Sequence, residues 1–178
     1  MEIAHGRYVP VSTKPTIVSA ISVVPKANAT VCLIHDMSRP EELAVNDVAT
    51  KDPFQCESVN DALSCVEPGW FMAKVDLQSA YRCVPLHPSQ YKITGLQWTF
   101  QGTNKPQFMM YDCCLPFGAW KSPAIFHRLT QAVKRMMVRK GFNSIVVYLD
   151  DFCVQAQVFK SAYWPIILLS SCCDHSAS

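Results

Sequence analysis

Two apolar, β-branched runs, Ile17 to Val24 and Val31 to His35, flank the turn-forming segment Pro25-Lys26-Ala27-Asn28-Ala29-Thr30. This pattern predicts a hairpin with Lys26 near its tip. Residues 36–54 show little period and are punctuated by Pro40 and Pro53, so a loop-rich passage is expected there. Ser58 is placed to cap a short helix in which Val59, Leu63 and Val66 share one face and which Pro68-Gly69 ends. Trp70 to Asp76 alternates at period two and stops at Leu77-Gln78-Ser79-Ala80-Tyr81-Arg82, a single turn cut off by Pro85. Asp76 is therefore expected at the end of a strand.

Further along, Tyr91 to Phe100 and Gln107 to Cys114 read as two strands joined by a surface hairpin over residues 101–106. Ser122 and Pro123 supply an N-cap and a first-turn proline for a helix running to about Lys140, before Gly141. Ile125, Leu129, Val133 and Met136 or Met137 recur at three and four residues and define its expected buried stripe. The last strong signal is Ser144 to Val154, which reads as a strand, a tight turn at Asp150-Asp151 and a returning strand. Residues 1–16 carry no such pattern and are expected to be loosely held.

Composition narrows the picture modestly. With 178 residues and 49% hydrophobic content the chain can bury one domain's core, which argues against disorder and repeats. A formal charge of +2 announces no partner by itself. Nine cysteines, with Cys113-Cys114 and Cys172-Cys173 adjacent and no Cys-x-x-Cys pair, fit neither a disulfide framework nor a zinc ribbon. Reduced thiols and an intracellular setting, cytoplasm or nucleus, are expected. The N-terminus lacks a signal-peptide core, and the apolar run from Ala162 to Leu169 is too short for a membrane span and holds Pro165.

The candidate chemistry lies in carboxylates and in one basic helix. Adjacent aspartates at a hairpin tip repel each other, so Asp150 and Asp151 are either a solvated turn or a site for magnesium or manganese, which prefer hard oxygen ligands. Asp76 at a strand end is either a capping residue or a functional carboxylate. Lys26 is either a turn charge or a phosphate contact. Arg128, Lys134, Arg135, Arg139 and Lys140 lie on the helix after Ser122, with no acidic residue among them. A solvated helix usually mixes signs for i,i+4 pairing, so these residues are open to either reading, solvated face or phosphate-backbone contact.

In order along the chain stand Asp76 with Tyr81, then Leu115-Pro116-Phe117-Gly118 with Ser122-Pro123 and Phe126, then Tyr148-Leu149-Asp150-Asp151. In kind, order and setting these blocks resemble those of reverse transcriptases. The wording of Val75 to Tyr81 and of Ile125 to Met137 is most similar to retrotransposons of the DIRS-like, tyrosine-recombinase group. The resemblance spans residues 17–154, the family's fingers and palm, and implies an α+β right-hand polymerase palm with partial fingers, an antiparallel sheet backed by helices. It further implies template-directed DNA synthesis from deoxynucleoside triphosphates on a primed RNA or DNA template. Two ions, Mg2+ or Mn2+, would be held by Asp76 and Asp150, with Asp151 the third carboxylate. Tyr81 matches the sugar-gate position, Phe117 and Gly118 the nucleotide pocket, and Lys26 a fingers lysine near the triphosphate. Tyr148 and the basic helix match the nucleic-acid-binding side.

Two departures bear on activity. Cys32 stands where the family usually has an arginine, four residues before the aspartate equivalent to Asp36, and a thiol cannot replace that planar fork of charged donors. Residues 155–178 do not resemble the continuing palm, and thumb and RNase H regions are missing from the sequence. A truncated or decayed copy, inactive or binding nucleic acid only, is the alternative that these departures imply.

Overall fold

In the computed structural model, which describes residues 2–25, 31–51, 53–99 and 107–157, the chain divides into two units: Met1–Asp52 with Tyr81–Ser122, and Pro53–Ala80 with Pro123–Ser178. In chain order the elements are β1 (Tyr8–Val11), β2 (Val18–Pro25), β3 (Val31–Asp36), α1 (Val45–Val48), α2 (Val59–Ser64) and β4 (Phe71–Asp76). After two 3₁₀ turns, Ala80–Cys83 and Pro88–Ile93, come β5 (Gly95–Thr99), β6 (Gln107–Asp112), α3 (Lys121–Arg139), β7 (Ile145–Tyr148) and β8 (Asp151–Ala156).

The first unit is built on a five-stranded sheet in the order β1-β6-β5-β2-β3. β2 and β3 pair antiparallel, with Pro25 opposite Val31, as the sequence pattern implies; the tip that carries Lys26 lies outside the described residues. β5 and β6 also pair antiparallel, whereas β2 and β5 run parallel. The strand expected from Tyr91 begins only at Gly95, because Pro88 opens a 3₁₀ turn that runs to Ile93. The N-terminal stretch is a second correction. Tyr8 is buried beside Leu96 and Met110, β1 pairs with β6, and Glu2 reaches the buried Arg82 guanidinium at 2.9 Å. Arg82 in turn donates to both carboxylate oxygens of the fully buried Asp112, at 2.8 and 2.7 Å. A buried charge needs such partners, and here they tie the first residues to the sheet.

The second unit holds a three-stranded antiparallel sheet in the order β4-β8-β7. One face is the core, where Ile145, Val147, Phe152 and Val154 pack with Met137 of α3, and Val75 and Val133 lean on them. Ser58 caps α2 as expected: its hydroxyl accepts the Asp61 N–H, and the Asp61 carboxylate accepts the Ser58 N–H at 2.6 Å. The apolar residues Val59 and Leu63 nevertheless stay exposed.

Helix α3 follows its predicted span and part of its predicted stripe: Met137 and Val133 pack on the core, but Leu129 and Met136 are exposed, and Phe126, His127 and Thr130 are buried as well. Thr130 is tolerated there because its hydroxyl donates to the helix carbonyls of Phe126 and His127. Ser122 lies inside the helix rather than capping it, and its buried hydroxyl donates to Pro116 O at 2.7 Å. The helix ends at Gly141, whose φ of 95° lets Phe142 N–H turn back to Met137 O. Every cysteine among the described residues is a free thiol. No helix among them is long and apolar enough to cross a membrane.

Candidate active site

The second unit places three carboxylates at the end of its sheet. β4 and β8 pair so that Asp76 lies directly opposite Asp151, and Tyr148 of β7 lies opposite Asp151 on the other side. Directly opposed residues project from the same face. Asp76, Asp151 and Tyr148 therefore share the face away from the Phe152–Val154 core. The loop between β7 and β8 has two residues, Leu149 and Asp150, with Leu149 at φ 52°. A positive φ at the first loop residue suits the twist of a two-residue hairpin, though it is a costly one for leucine. Asp150 is fastened to β4 through its carbonyl, which accepts the Leu77 N–H at 3.1 Å.

Charge is concentrated here. Burial, with the negative charges of Asp76 and Asp151 adding to it, pushes the Asp150 carboxyl above its ordinary value of 3.8. Lys74, two residues before Asp76 on the same face, sets its ammonium 3.0 Å from Asp151 Oδ1. The donors are all carboxylate oxygens, the chemistry that a hard divalent cation requires. Among the described residues, however, no three His, Cys, Asp or Glu side chains are gathered closely enough to hold a metal ion as they stand. The fit is thus one of donor chemistry and strand placement.

The first unit carries the other family-matched residues. The Tyr81 and Phe117 rings lie with centroids 5.1 Å apart, tilted by 37°. Gly118 has no room for a side chain: a Cβ there would lie 1.9 Å from His35 O. This close approach is held by Asn46, a buried residue that the pattern of the sequence did not single out. Its amide donates to Gly118 O and Ser38 Oγ, both at 2.9 Å, and its carbonyl accepts the Trp120 N–H at 3.0 Å. Asn46 pins the Pro-Phe-Gly segment to the turn after β3. The only signal for it is an asparagine at the start of a short helix, which is too common to be read as a hub.

The basic residues separate. Arg128, Arg135 and Arg139 are exposed on α3, Lys140 is exposed just past its end, and Tyr148 is exposed on β7. Lys134 differs from them in being half-buried, with its ammonium paired to Glu57 from the loop before α2. The one-signed helix thus borrows its acidic partner from elsewhere in the chain. Glu57 was missed for that reason, since nothing local to it marks a contact 77 residues away.

Residues 24–169 match the family described as reverse transcriptase (RNA-dependent DNA polymerase), a match that runs on past Val154. Three of the similar solved structures are foamy viral protease-reverse transcriptases. Two of these are complexes with double-stranded DNA, at 20% identity with TM-score 0.71 and 19% with 0.72; the third is the native prototype foamy virus enzyme, at 21% with 0.69. Each alignment covers 99% of this chain but only 28%, 33% and 21% of the respective polymerase, so the chain spans about a fifth to a third of their length. No curated protein sequence matches. With more than half of its residues in the family match and the palm and fingers fold in its structure, the chain belongs to the reverse transcriptase family.

Proposed function

We propose that this chain carries the nucleotidyl-transfer centre of a retrotransposon reverse transcriptase, extending a primer on an RNA or DNA template with deoxynucleoside triphosphates. The observation that carries the reading is the register of Asp76 against Asp151 with Asp150 fastened beside them. In the reaction, the primer 3′-oxygen forms a bond to the α-phosphorus while the bond to pyrophosphate breaks. Asp76 and Asp150, with Asp151 third, would hold two divalent ions, Mg2+ or Mn2+, which supply Lewis-acid stabilisation of the charge on phosphate and leaving group. The Tyr81 ring, backed by Phe117, excludes a ribose 2′-hydroxyl by volume. Gly118 keeps the nucleotide segment close to the backbone after β3. Tyr148, Arg128, Arg135, Arg139 and Lys140 face solvent as contacts for the primer-template, whose phosphates they would meet with charge or with a phenol. Lys26 is proposed for the triphosphate on the strength of its sequence match alone. The finer assignment to the DIRS-like group rests on Val75 to Tyr81 and Ile125 to Met137.

A second reading, nucleic-acid binding without synthesis, is favoured by Cys32. Its thiol donates to the neighbouring Leu33 carbonyl, at 3.9 Å, and offers no charged fork for a triphosphate. Single-nucleotide extension of a labelled primer-template with Mg2+ or Mn2+ separates the two. Addition that is lost in Asp150→Asn supports synthesis; salt-sensitive binding with no addition supports the second reading.

A further inference from the structure

Strand alternation puts Lys74 and Asp76 on one face of β4, and the register sets Cys153 opposite Lys74 and Asp151 opposite Asp76. Lys74 and Asp151 are therefore diagonal neighbours on adjacent strands, within reach for a long side chain. The Lys74 ammonium uses that reach, sitting 3.0 Å from Asp151 Oδ1, while both side chains keep substantial exposure, 67% and 40%. Asp76 and Asp150 have no ion-pair partner among the described residues. The arrangement is a trio of carboxylates in which one member is already neutralised by a tethered cation.

We infer that Lys74 is a built-in counter-ion of this centre and competes with divalent cations for Asp151. The inference rests on the proposed metal role of the three aspartates and adds a residue that the role does not require. An exposed lysine-carboxylate pair is weak, because solvent screens it, so it yields to an ion that several carboxylates can ligate together. The same modest strength still raises the concentration of metal needed to fill the site. Lys74 thereby sets the metal threshold of the centre, and it relieves the mutual repulsion of the carboxylates without closing Asp76 or Asp150 to an incoming ion.

The test is Mn2+ titration of the 178-residue chain, following the electron paramagnetic resonance signal of free Mn2+, for the wild type and for Lys74→Met, Lys74→Arg and Asp150→Asn. Lys74→Met keeps the length of the stem and removes the charge, and is expected to bind Mn2+ about threefold to fivefold more tightly, the factor corresponding to one exposed pair. Lys74→Arg keeps the charge and is expected to match the wild type or bind more weakly. Circular dichroism checks that each variant is folded; Lys74→Gln replaces Lys74→Met if that variant is not. Mn2+ binding that depends on Asp150 but is equally tight in the wild type and Lys74→Met overturns the role of Lys74 and leaves the metal centre standing. Binding that Asp150→Asn does not weaken in either background overturns both.

Discussion

One carboxylate oxygen of Glu57 accepts the backbone N–H of Val147 at 2.7 Å, and the other pairs with the ammonium of Lys134. A single side chain so joins the outer edge of β7, the strand that leads into Tyr148 and the acidic turn, to helix α3. Val147 is fully buried, and Glu57 supplies the partner of its N–H. Glu57→Ala is expected to cost about 1–3 kcal/mol in urea unfolding, the cost of leaving a buried donor unsatisfied. Glu57→Gln keeps an acceptor for Val147 but releases Lys134. It is expected to retain most of the stability while steepening the salt dependence of nucleic-acid binding by about one unit of slope. An unchanged slope would mean that Lys134 does not reach phosphate even when free.

The Asp150 carboxyl is held above its ordinary value, first by burial and then by Asp76 and Asp151. A raised value means that the folded chain binds the proton more tightly than the unfolded chain does. The contribution of this group to stability is thus fully present below pH 3.8 and is lost as pH rises through the folded value. Asp150→Asn removes the penalty, so at pH 7 the variant is expected to melt about 1–2 °C higher, a small gain because the group is partly solvated. The gain should vanish in melts recorded near pH 3. A variant less stable than the wild type at pH 7 would contradict the like-charge picture of the turn.

For Tyr81 the expected effect concerns selectivity rather than rate. Tyr81→Ala removes the ring that packs on Phe117 and should raise ribonucleotide relative to deoxyribonucleotide incorporation by about tenfold or more, the scale on which a pocket rejects an added group by sterics. Tyr81→Phe keeps the ring volume and should keep the wild-type ratio. Single-nucleotide incorporation with the two triphosphates in competition measures this directly, and equal ratios in all three proteins would remove the sugar-gate assignment.

Gly118 and Asn46 act on one loop. Gly118→Ala would set a Cβ 1.9 Å from the His35 carbonyl oxygen, which is backbone and cannot step aside alone. A loss of about 1–3 kcal/mol or more is expected from such overpacking. Asn46→Ala leaves the Gly118 carbonyl and the Trp120 N–H without their partner and is expected to cost a similar amount, about 1–3 kcal/mol. Denaturant titration of both variants is the check; wild-type stability in Gly118→Ala would show that the loop is not held against the end of β3.

The elements around the carboxylates were legible because their signals are local. Alternation in Trp70 to Asp76, the paired apolar runs around Asp150-Asp151 and the Ser58 cap each specify a strand, hairpin or helix end from a few consecutive residues. What the pattern missed depends on distant partners. Tyr8 to Val11 form a strand only because β6 offers an edge and Arg82 a counter-charge for Glu2. Thr130 and His127 turn inward on α3 although their polarity assigns them to the surface, and Leu129 and Met136 take the exposed positions in exchange. The pairing of Lys134 with Glu57 left no local signal because the two lie far apart in sequence.

The central claim, that Asp76, Asp150 and Asp151 form one divalent-metal centre, is most directly tested by iron-mediated backbone cleavage. Fe2+ replaces Mg2+ at oxygen-ligand sites, and with ascorbate and peroxide it generates hydroxyl radicals that cut the chain near the bound ion. The expected result is two clusters of cuts, one around Asp76 and one around Asp150-Asp151, both suppressed by excess Mg2+ and both lost in Asp150→Asn. Cuts at only one of the two places, or a pattern that neither Mg2+ nor Asp150→Asn changes, would contradict the account.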